Sequence, residues 1–166
     1  MFRRAARWTL MGLLFWSGGI GAAHEVDGRW IRGVFTGRSP RAVPLPEAEA
    51  WQRAGLLSEK APDSFVLVGS GQSMQPLYAP GAILVLQQYP YELLEPGQTV
   101  LYRNRARKIV AHVLVARARD GWRVAGLNNP RPDLEPVRPG NLVGVVIAAF
   151  QPLPEELPRR IALLDR

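Results

Sequence analysis

The 166-residue chain contains no cysteine, only two histidines and only two lysines. The lack of cysteine excludes disulfides, thiolate metal sites and cysteine nucleophiles, so any covalent catalysis has to use another group. The two histidines, His24 and His112, leave little choice for an imidazole base. No His, Asp and Glu cluster at ligand spacing is present, so we expect no metal site and no other cofactor.

The positive charge of the chain, +7 at pH 7, is carried almost wholly by arginine. Such a charge attracts anionic lipid headgroups or nucleic acid, although it also favours solubility. No basic helix and no series of stacking aromatic residues accompanies the arginines, so we expect no nucleic-acid binding. An anionic membrane surface is still a possible partner. The basic residues lie in three groups, Arg3 to Arg7, Arg103 to Lys108, and Arg117 to Arg123.

Residues 1–23 have the pattern of an export segment. A basic head is followed by an apolar stretch without acidic residues, from Trp8 to Ile20, and by the small residues Gly21, Ala22 and Ala23. This pattern predicts a secretory signal peptide with cleavage after Ala23. A retained membrane anchor is the weaker alternative, because the stretch falls short of about 20 good apolar residues. Both alternatives predict a location at the outer face of the cytoplasmic membrane or in the periplasm.

Residues 24–62 are polar and rich in Gly and Pro, which is typical of a linker or of an arm that wraps around a domain. Within them, Pro46 and Glu47 mark the start of a short helix, with Ala50, Ala54 and Leu57 at helical spacing. The segment therefore predicts a linker or wrapping arm that contains one short helix.

From residue 63 to residue 150 the chain alternates short apolar runs with turn signals such as Pro-Gly and Asp-Gly. Runs of this length and composition predict a mainly β domain with mostly antiparallel strands. The chain length is sufficient for one domain of this kind. Residues 151–166 form a C-terminal tail with room for one or two helical turns. The predicted strands are "SFVLV", "AILVLQQ", "QTVLYR", "KIVAHVLVA", "WRVAG" and "NLVGVVIAAF".

The segment "GSGQSMQPLYAPG", residues 69–81, places Ser73 between glycines and prolines. A serine in such a segment is a turn residue or a nucleophile, and a nucleophile needs a base and donors for the oxyanion. Since His24 lies in the export segment, His112 is the only imidazole of the β domain. Strand alternation places Lys108 and His112 on one face, roughly 13 Å apart, so both cannot contact one hydroxyl. The residues alone leave open which of them is the base, or whether His112 is a core residue.

Several motifs occur in order over about residues 65–150, and together they resemble a known family. They are "GQSMQP", "APGAILVLQQ", "EPGQTVLYR", "HVLVARARDGWRVAGLNNPRPD" and "VRPGNLVGVVIAAF". This series resembles the S24/S26 superfamily of serine peptidases, which contains type I signal peptidases and self-cleaving LexA-like repressors. The resemblance implies a coiled antiparallel β domain with one or two short helices.

The resemblance is strongest to the branch of the superfamily in which histidine replaces a catalytic lysine. It implies that Ser73 is the nucleophile, His112 the general base and Asp133 the residue that orients the base. Lys108 lies four residues before the matching position and is the less favoured base. The resemblance also implies a shallow apolar pocket for small substrate side chains, with Met74, Leu77 and Tyr78 as its lining. Residues expected beside the oxyanion or the substrate are Gly71, Gln72, Met74 and Pro76.

The chain departs from the family pattern at five positions, one of which is Val113, where relatives have an arginine after the histidine. Gly71 stands where many relatives have a serine that donates to the oxyanion. Ala82, Gln98 and Leu127 replace acidic residues. With Gly71, the backbone N–H of Ser73 has to carry more of the oxyanion stabilisation.

Three functions follow from the sequence. The first is a signal-peptidase-type serine endopeptidase that cleaves exported preproteins. The second is a weak or inactive relative that acts as a peptide-binding or scaffold module of the envelope. The third, a self-cleaving LexA-like regulator, is less favoured because no helix-turn-helix pattern precedes the β domain.

Overall fold

The structure, a computed structural model, describes residues 29–154. The predicted signal or anchor segment, residues 1–23, and the helical turns expected in the C-terminal tail lie outside the described residues. The part of the chain that the structure describes is mainly β with one α-helix and mostly antiparallel strands, which confirms the prediction of a mainly β, mostly antiparallel domain. Over the same residues, the helix is too short and too polar to traverse a bilayer.

The strands form a small hairpin and a seven-stranded sheet. All six strands predicted from the apolar runs are present. The hairpin consists of β1 (Trp30–Ile31) and β2 (Val34–Phe35). The elements of the larger sheet are β3 (Ala42–Pro46), β4 (Ser64–Val68), β5 (Ile83–Gln87), β6 (Thr99–Arg103), β7 (Ile109–Ala118), β8 (Gly121–Ala125) and β9 (Leu142–Leu153), with one α-helix, α1 (Glu47–Lys60), and a 3₁₀ turn at Tyr91–Leu93.

The last strand, β9, is the centre of the large sheet. The strand order is β4-β5-β9-β6-β7-β8, and neighbouring strands are antiparallel. The far end of β9 pairs in parallel with β3, from Ala42 opposite Ala149 to Pro46 opposite Leu153. Strand β3 lies in the segment predicted as a linker or wrapping arm. Its two prolines lack the N–H that a fully paired strand needs, and the described contacts give β3 a single partner strand.

Helix α1 begins directly after Pro46, as the sequence predicts. Ala50 and Ala54 are fully buried against Ile83, Val85 and Phe150, and the absence of long side chains at the two alanines lets the helix approach the sheet. The helix therefore covers one face of β5 and β9.

The other faces of the strands form two further apolar clusters. The first contains Met74, Leu101 and Leu127. The second contains Tyr102 and Leu114. Strand β7 contributes to both clusters, because alternate residues of a strand point to opposite faces. Ala111 and Val113 face the first cluster, and Val110 and Leu114 face the second. This alternation decides how the candidate site is arranged.

Candidate active site

The loop between β4 and β5 presents Ser73. Two backbone hydrogen bonds close its base, from Gly69 N–H to Ala82 C=O at 2.8 Å and from Gly81 N–H to Gly69 C=O at 2.7 Å. Gly81 has a φ of 86°, which favours glycine at this position. The Gln75–Pro76 peptide bond within the loop is cis. The glycines and prolines of the segment thus form a closed loop with Ser73 near its tip.

Ser73 is half-buried, and of its polar groups only the backbone C=O forms a hydrogen bond to another residue within 29–154. Its C=O accepts a hydrogen bond from Asn128 N–H at 2.7 Å. Neither its hydroxyl nor its N–H bonds to another residue within 29–154. Asn128 itself accepts a hydrogen bond at Oδ1 from Arg32, at the tip of the β1–β2 hairpin. The backbone of Ser73 is therefore anchored, while its hydroxyl and N–H are available to a ligand.

A cavity of about 470 Å³ lies beside Ser73. We call it the Ser73 groove. Most of its lining comes from the end of β4, the loop around Ser73 and the start of β7, and β5 and β6 contribute one residue each. Met74 and Tyr78 line it, as the resemblance implies, and the Tyr78 hydroxyl donates to Pro40 C=O. The other main lining residues are Leu67, Val68, Gly69, Ser70, Gly71, Leu101, Ile109, Val110 and Ala111.

Three residues expected near the substrate do not line the Ser73 groove. Leu77 is buried in the first apolar cluster. Gln72 and Pro76 are exposed and are not part of the groove lining. Besides the loop around Ser73, the groove is lined by aliphatic residues of β4 and β7, which the sequence did not indicate.

His112 is buried on β7, and its Nδ1 contacts Oδ2 of Asp133. The same carboxylate oxygen accepts a hydrogen bond from the Tyr102 hydroxyl. The N–H of Asp133 donates to Val124 C=O at 3.0 Å, which fixes the loop that carries the carboxylate. Burial raises the pKa of Tyr102 far above its usual value, and the bond to Asp133 adds to the rise. Tyr102 is a member of the site that sequence reasoning missed.

Gly126 lies beside the other nitrogen of the imidazole. A Cβ atom at this position would lie 2.7 Å from His112 Nε2 and 2.7 Å from Asn129 Nδ2. The pairing of Val113 with Ala125 places Gly126 next to His112 across the β7–β8 pair. The glycine of "GLNN" is thus required by the position of the histidine ring. The sequence indicates Gly126 only as the first residue of the "GLNN" motif, and not its relation to the histidine ring.

The structure brings His112 and Asp133 together, and it does not bring Ser73 into hydrogen-bond contact with His112. Alternation along β7 explains the separation. Ala111 lines the Ser73 groove, whereas His112 lines a second cavity of about 520 Å³ with Asp133 and Tyr102. Among residues 29–154, the linings of these two cavities share only Val110.

Lys108 lies in the exposed turn between β6 and β7. Its backbone N–H donates to Asn104 Oδ1 at 3.0 Å, and it lines neither cavity. Lys108 therefore stabilises the turn through its backbone N–H, and its side chain lies at the surface.

Three of the five departures from the family pattern, Ala82, Leu127 and Gln98, have local explanations. Ala82 and Leu127 are buried, at 0% and 1% exposure, where an unpaired carboxylate would be costly. Gln98 accepts the N–H of Glu95 at its Oε1 at 2.8 Å, so an amide anchors this turn in place of a carboxylate. A Cβ added at Gly71 would meet nothing within 4 Å. Room for a side chain at position 71 therefore exists.

Over residues 29–154, no three or more His, Cys, Asp or Glu side chains gather in a way that could hold a metal ion. The arrangement consists of a groove with an unengaged serine and an adjacent buried imidazole–carboxylate pair. No known protein family matches the chain, and no curated protein proves similar to it.

Proposed function

We propose that this protein is a serine endopeptidase of signal-peptidase type that cleaves exported preproteins, with Ser73 as nucleophile, His112 as base and Asp133 as its orienting group. The coiled β fold of that superfamily, export of the chain and a location at an anionic membrane surface are parts of the same proposal. The observation that carries it is the buried contact between His112 Nδ1 and Asp133 Oδ2 on the strand that also lines the Ser73 groove.

The pair is suited to general-base catalysis. A carboxylate beside Nδ1 favours the tautomer in which Nδ1 carries the proton, and Nε2 then has a lone pair for a substrate or nucleophile proton. Asp133 is held by its own backbone bond to Val124 and by the Tyr102 hydroxyl. The imidazole is therefore oriented by groups that do not depend on the substrate.

The Ser73 groove is suited to an extended peptide with small side chains. Its walls are largely aliphatic, and Gly69 and Gly71 let a substrate backbone lie close to the loop. In this proposal the N–H of Ser73, which bonds to no other residue within 29–154, donates to the oxyanion formed at the attacked carbonyl carbon. Recognition of small residues fits a groove whose polar groups are mostly backbone.

The proposed reaction has two steps. The Ser73 hydroxyl attacks the scissile carbonyl carbon while its proton passes to His112 Nε2, and collapse of the intermediate gives an acyl ester as the leaving amine takes that proton. Water then attacks the ester, again with transfer of a proton to Nε2, and the Ser73 hydroxyl regains its proton as the acid product leaves. Each cycle returns Ser73 and His112 to their starting forms and consumes one water.

This reaction requires Ser73 Oγ to reach His112 Nε2. Catalytic hydrogen bonds of this kind are often long without substrate and tighten in the complex. Asn128 N–H donates to Ser73 C=O, so the Ser73 loop and the Gly126–Asn129 turn are linked. Substrate in the Ser73 groove is expected to shift them together.

The experiment compares Ser73→Ala, His112→Ala and the control Lys108→Ala in the cleavage of a preprotein with small residues before the cut. The first two variants are expected to abolish cleavage, and Lys108→Ala to leave it intact. Mass spectrometry of the wild type with a serine-directed acylating inhibitor is expected to locate the acyl group on Ser73. Loss of cleavage in Lys108→Ala alone, or an unlabelled Ser73, would overturn the proposal.

The lack of a hydrogen bond between Ser73 and His112 favours one second candidate, a peptide-binding module without catalysis. In that case the Ser73 groove binds the same small-residue peptides, and Ser73→Ala leaves both peptide affinity and peptide integrity unchanged. A wild-type chain that binds such a peptide for hours without cleaving it would support this second function.

A further inference from the structure

Tyr102 and His112 lie on neighbouring antiparallel strands. Val100 pairs with His112, and Tyr102 pairs with Val110, so Tyr102 is diagonal to His112 on one face of the sheet. Residues in this relation are within reach of aromatic side chains. The two ring centroids are 6.4 Å apart with an angle of 56° between the planes. The rings are therefore close enough to share a partner without stacking.

The shared partner is Oδ2 of Asp133. It receives the Tyr102 hydroxyl from β6 and faces Nδ1 of His112 on β7. Both strands therefore direct a polar hydrogen at one oxygen of a carboxylate whose loop is tied to β8. Hydrogen bonds to an ionised acceptor are shorter and stronger than neutral ones. The carboxylate is thus fixed from two sides.

The state of the Tyr102 hydroxyl follows from its surroundings. Burial, followed by the neighbouring Asp133, raises the pKa of Tyr102 well above its usual range. The phenol therefore keeps the proton that it donates to Asp133. In residues 29–154 the Tyr102 hydroxyl bonds to no residue besides Asp133.

We propose that Tyr102 is a positioning residue, whose hydroxyl fixes the Asp133 carboxylate so that it holds the His112 ring with Nε2 above Gly126. The catalytic consequence rests on the proposed peptidase function, whereas the effect on the ring does not. Without the hydroxyl, the carboxylate is free to rotate away from Nδ1. The expected result is a ring whose orientation is no longer set by the fold.

The test uses Tyr102→Phe in the full-length chain, with Tyr91→Phe as the matched control. Tyr91 packs against the same apolar cluster as Tyr102, but its hydroxyl donates to Val137 C=O at 3.0 Å. The readout is the proton NMR resonance of the His112 Nδ1–H, which a hydrogen bond to a carboxylate moves far downfield. We expect Tyr102→Phe to shift or broaden this resonance and Tyr91→Phe to leave it unchanged.

In the peptidase assay, Tyr102→Phe is expected to lower kcat about tenfold with little change in KM, which corresponds to about 1.4 kcal/mol. An unchanged resonance in folded Tyr102→Phe, or an equal change in Tyr91→Phe, would overturn the inference. Should Tyr102→Phe not fold, 3-fluorotyrosine incorporated into the Tyr91→Phe chain serves instead. Fluorination makes the Tyr102 phenol a stronger hydrogen-bond donor, so the resonance of the His112 Nδ1–H is expected to shift. An unchanged resonance would again refute the inference.

The two proposals fail separately. A wild-type chain that never acylates Ser73, but whose His112 resonance responds to Tyr102→Phe, disproves the peptidase function and leaves the positioning role. A chain that acylates Ser73 while its His112 resonance ignores Tyr102→Phe disproves only the positioning role.

Discussion

Replacement of Gly126 by alanine tests whether the exact place of the His112 ring matters. The added Cβ would lie 2.7 Å from His112 Nε2, whereas ordinary contact begins near 3.4 Å. The ring nitrogen or the backbone therefore has to move by about 0.7 Å, the difference between these two distances. Asn129 can give way more easily, because its amide is at the end of a side chain that is only half-buried. His112 is buried and held by Asp133, so its displacement is the costly part.

A misplacement of about 1 Å in a catalytic group costs on the order of a hundredfold in rate. We therefore expect Gly126→Ala to lower the rate of Ser73 acylation about ten- to a hundredfold. Overpacking of this kind destabilises by about 1–3 kcal/mol, and the stiffer unfolded chain offsets up to about 1 kcal/mol of that. The rate is measured by mass spectrometry during inhibitor labelling, and stability by urea unfolding.

Gly71→Ala is the matched control, because its Cβ would meet nothing within 4 Å. It carries the same chemical change without a clash, so it is expected to keep the stability within about 1 kcal/mol of the wild type. Because Gly71 lines the Ser73 groove, the control for the acylation rate is Gly140→Ala, whose Cβ would also meet nothing within 4 Å and which lines neither cavity. A folded Gly126→Ala chain that acylates Ser73 at the wild-type rate would refute the reasoning. It would show that the present position of Nε2 is not the one used in catalysis.

Two further predictions concern the oxyanion and the buried tyrosines. Gly71→Ser places a hydroxyl where the resemblance implies an oxyanion donor and where the structure leaves room for a side chain. The variant should therefore acylate Ser73 up to about a hundredfold faster than the wild type. An acylation rate that falls or stays the same would contradict this prediction. Burial raises the pKa of Tyr78 and of Tyr102 above the usual 10, so above pH 10 the unfolded chain loses phenolic protons that the folded chain keeps. The contribution of each buried tyrosine to the free energy of unfolding is therefore fully present below pH 10, and above pH 10 it falls by about 1.4 kcal/mol per pH unit. Urea unfolding between pH 9 and pH 11.5 should show a shallower fall in stability for Tyr102→Phe than for Tyr91→Phe. Equal slopes in these two variants would contradict the role assigned to burial.

The sequence predicts most of the β domain because its signals are local. Each of the six predicted strands is an apolar run between turn residues, and α1 starts at a proline. Strand β3 is not predicted in this way, because the prolines of "AVPLP" argue against a strand. Its pairing depends on the presence of β9, more than 100 residues away along the chain. Non-local pairing of this kind leaves no mark in the segment itself.

The candidate site divides in the same way. The resemblance indicates Ser73, His112 and Asp133, and the structure brings the last two into contact. The place of Ser73 relative to His112 depends on which face of β7 the Ser73 loop covers, and a motif does not contain that information. Tyr102 was not predicted because a tyrosine in an apolar strand resembles any core residue. Its role depends on a carboxylate from a distant loop.

The position of β9 has a consequence for how the chain acquires its structure. Strands β5 and β6 are not neighbours until β9 lies between them, so the β4–β5 pair and the β6–β7–β8 meander join only when the final strand is available. Folding dominated by such distant pairings is slow and exposes strand edges meanwhile. The two halves of the large sheet are therefore joined only after β9, which ends at Leu153, has been made.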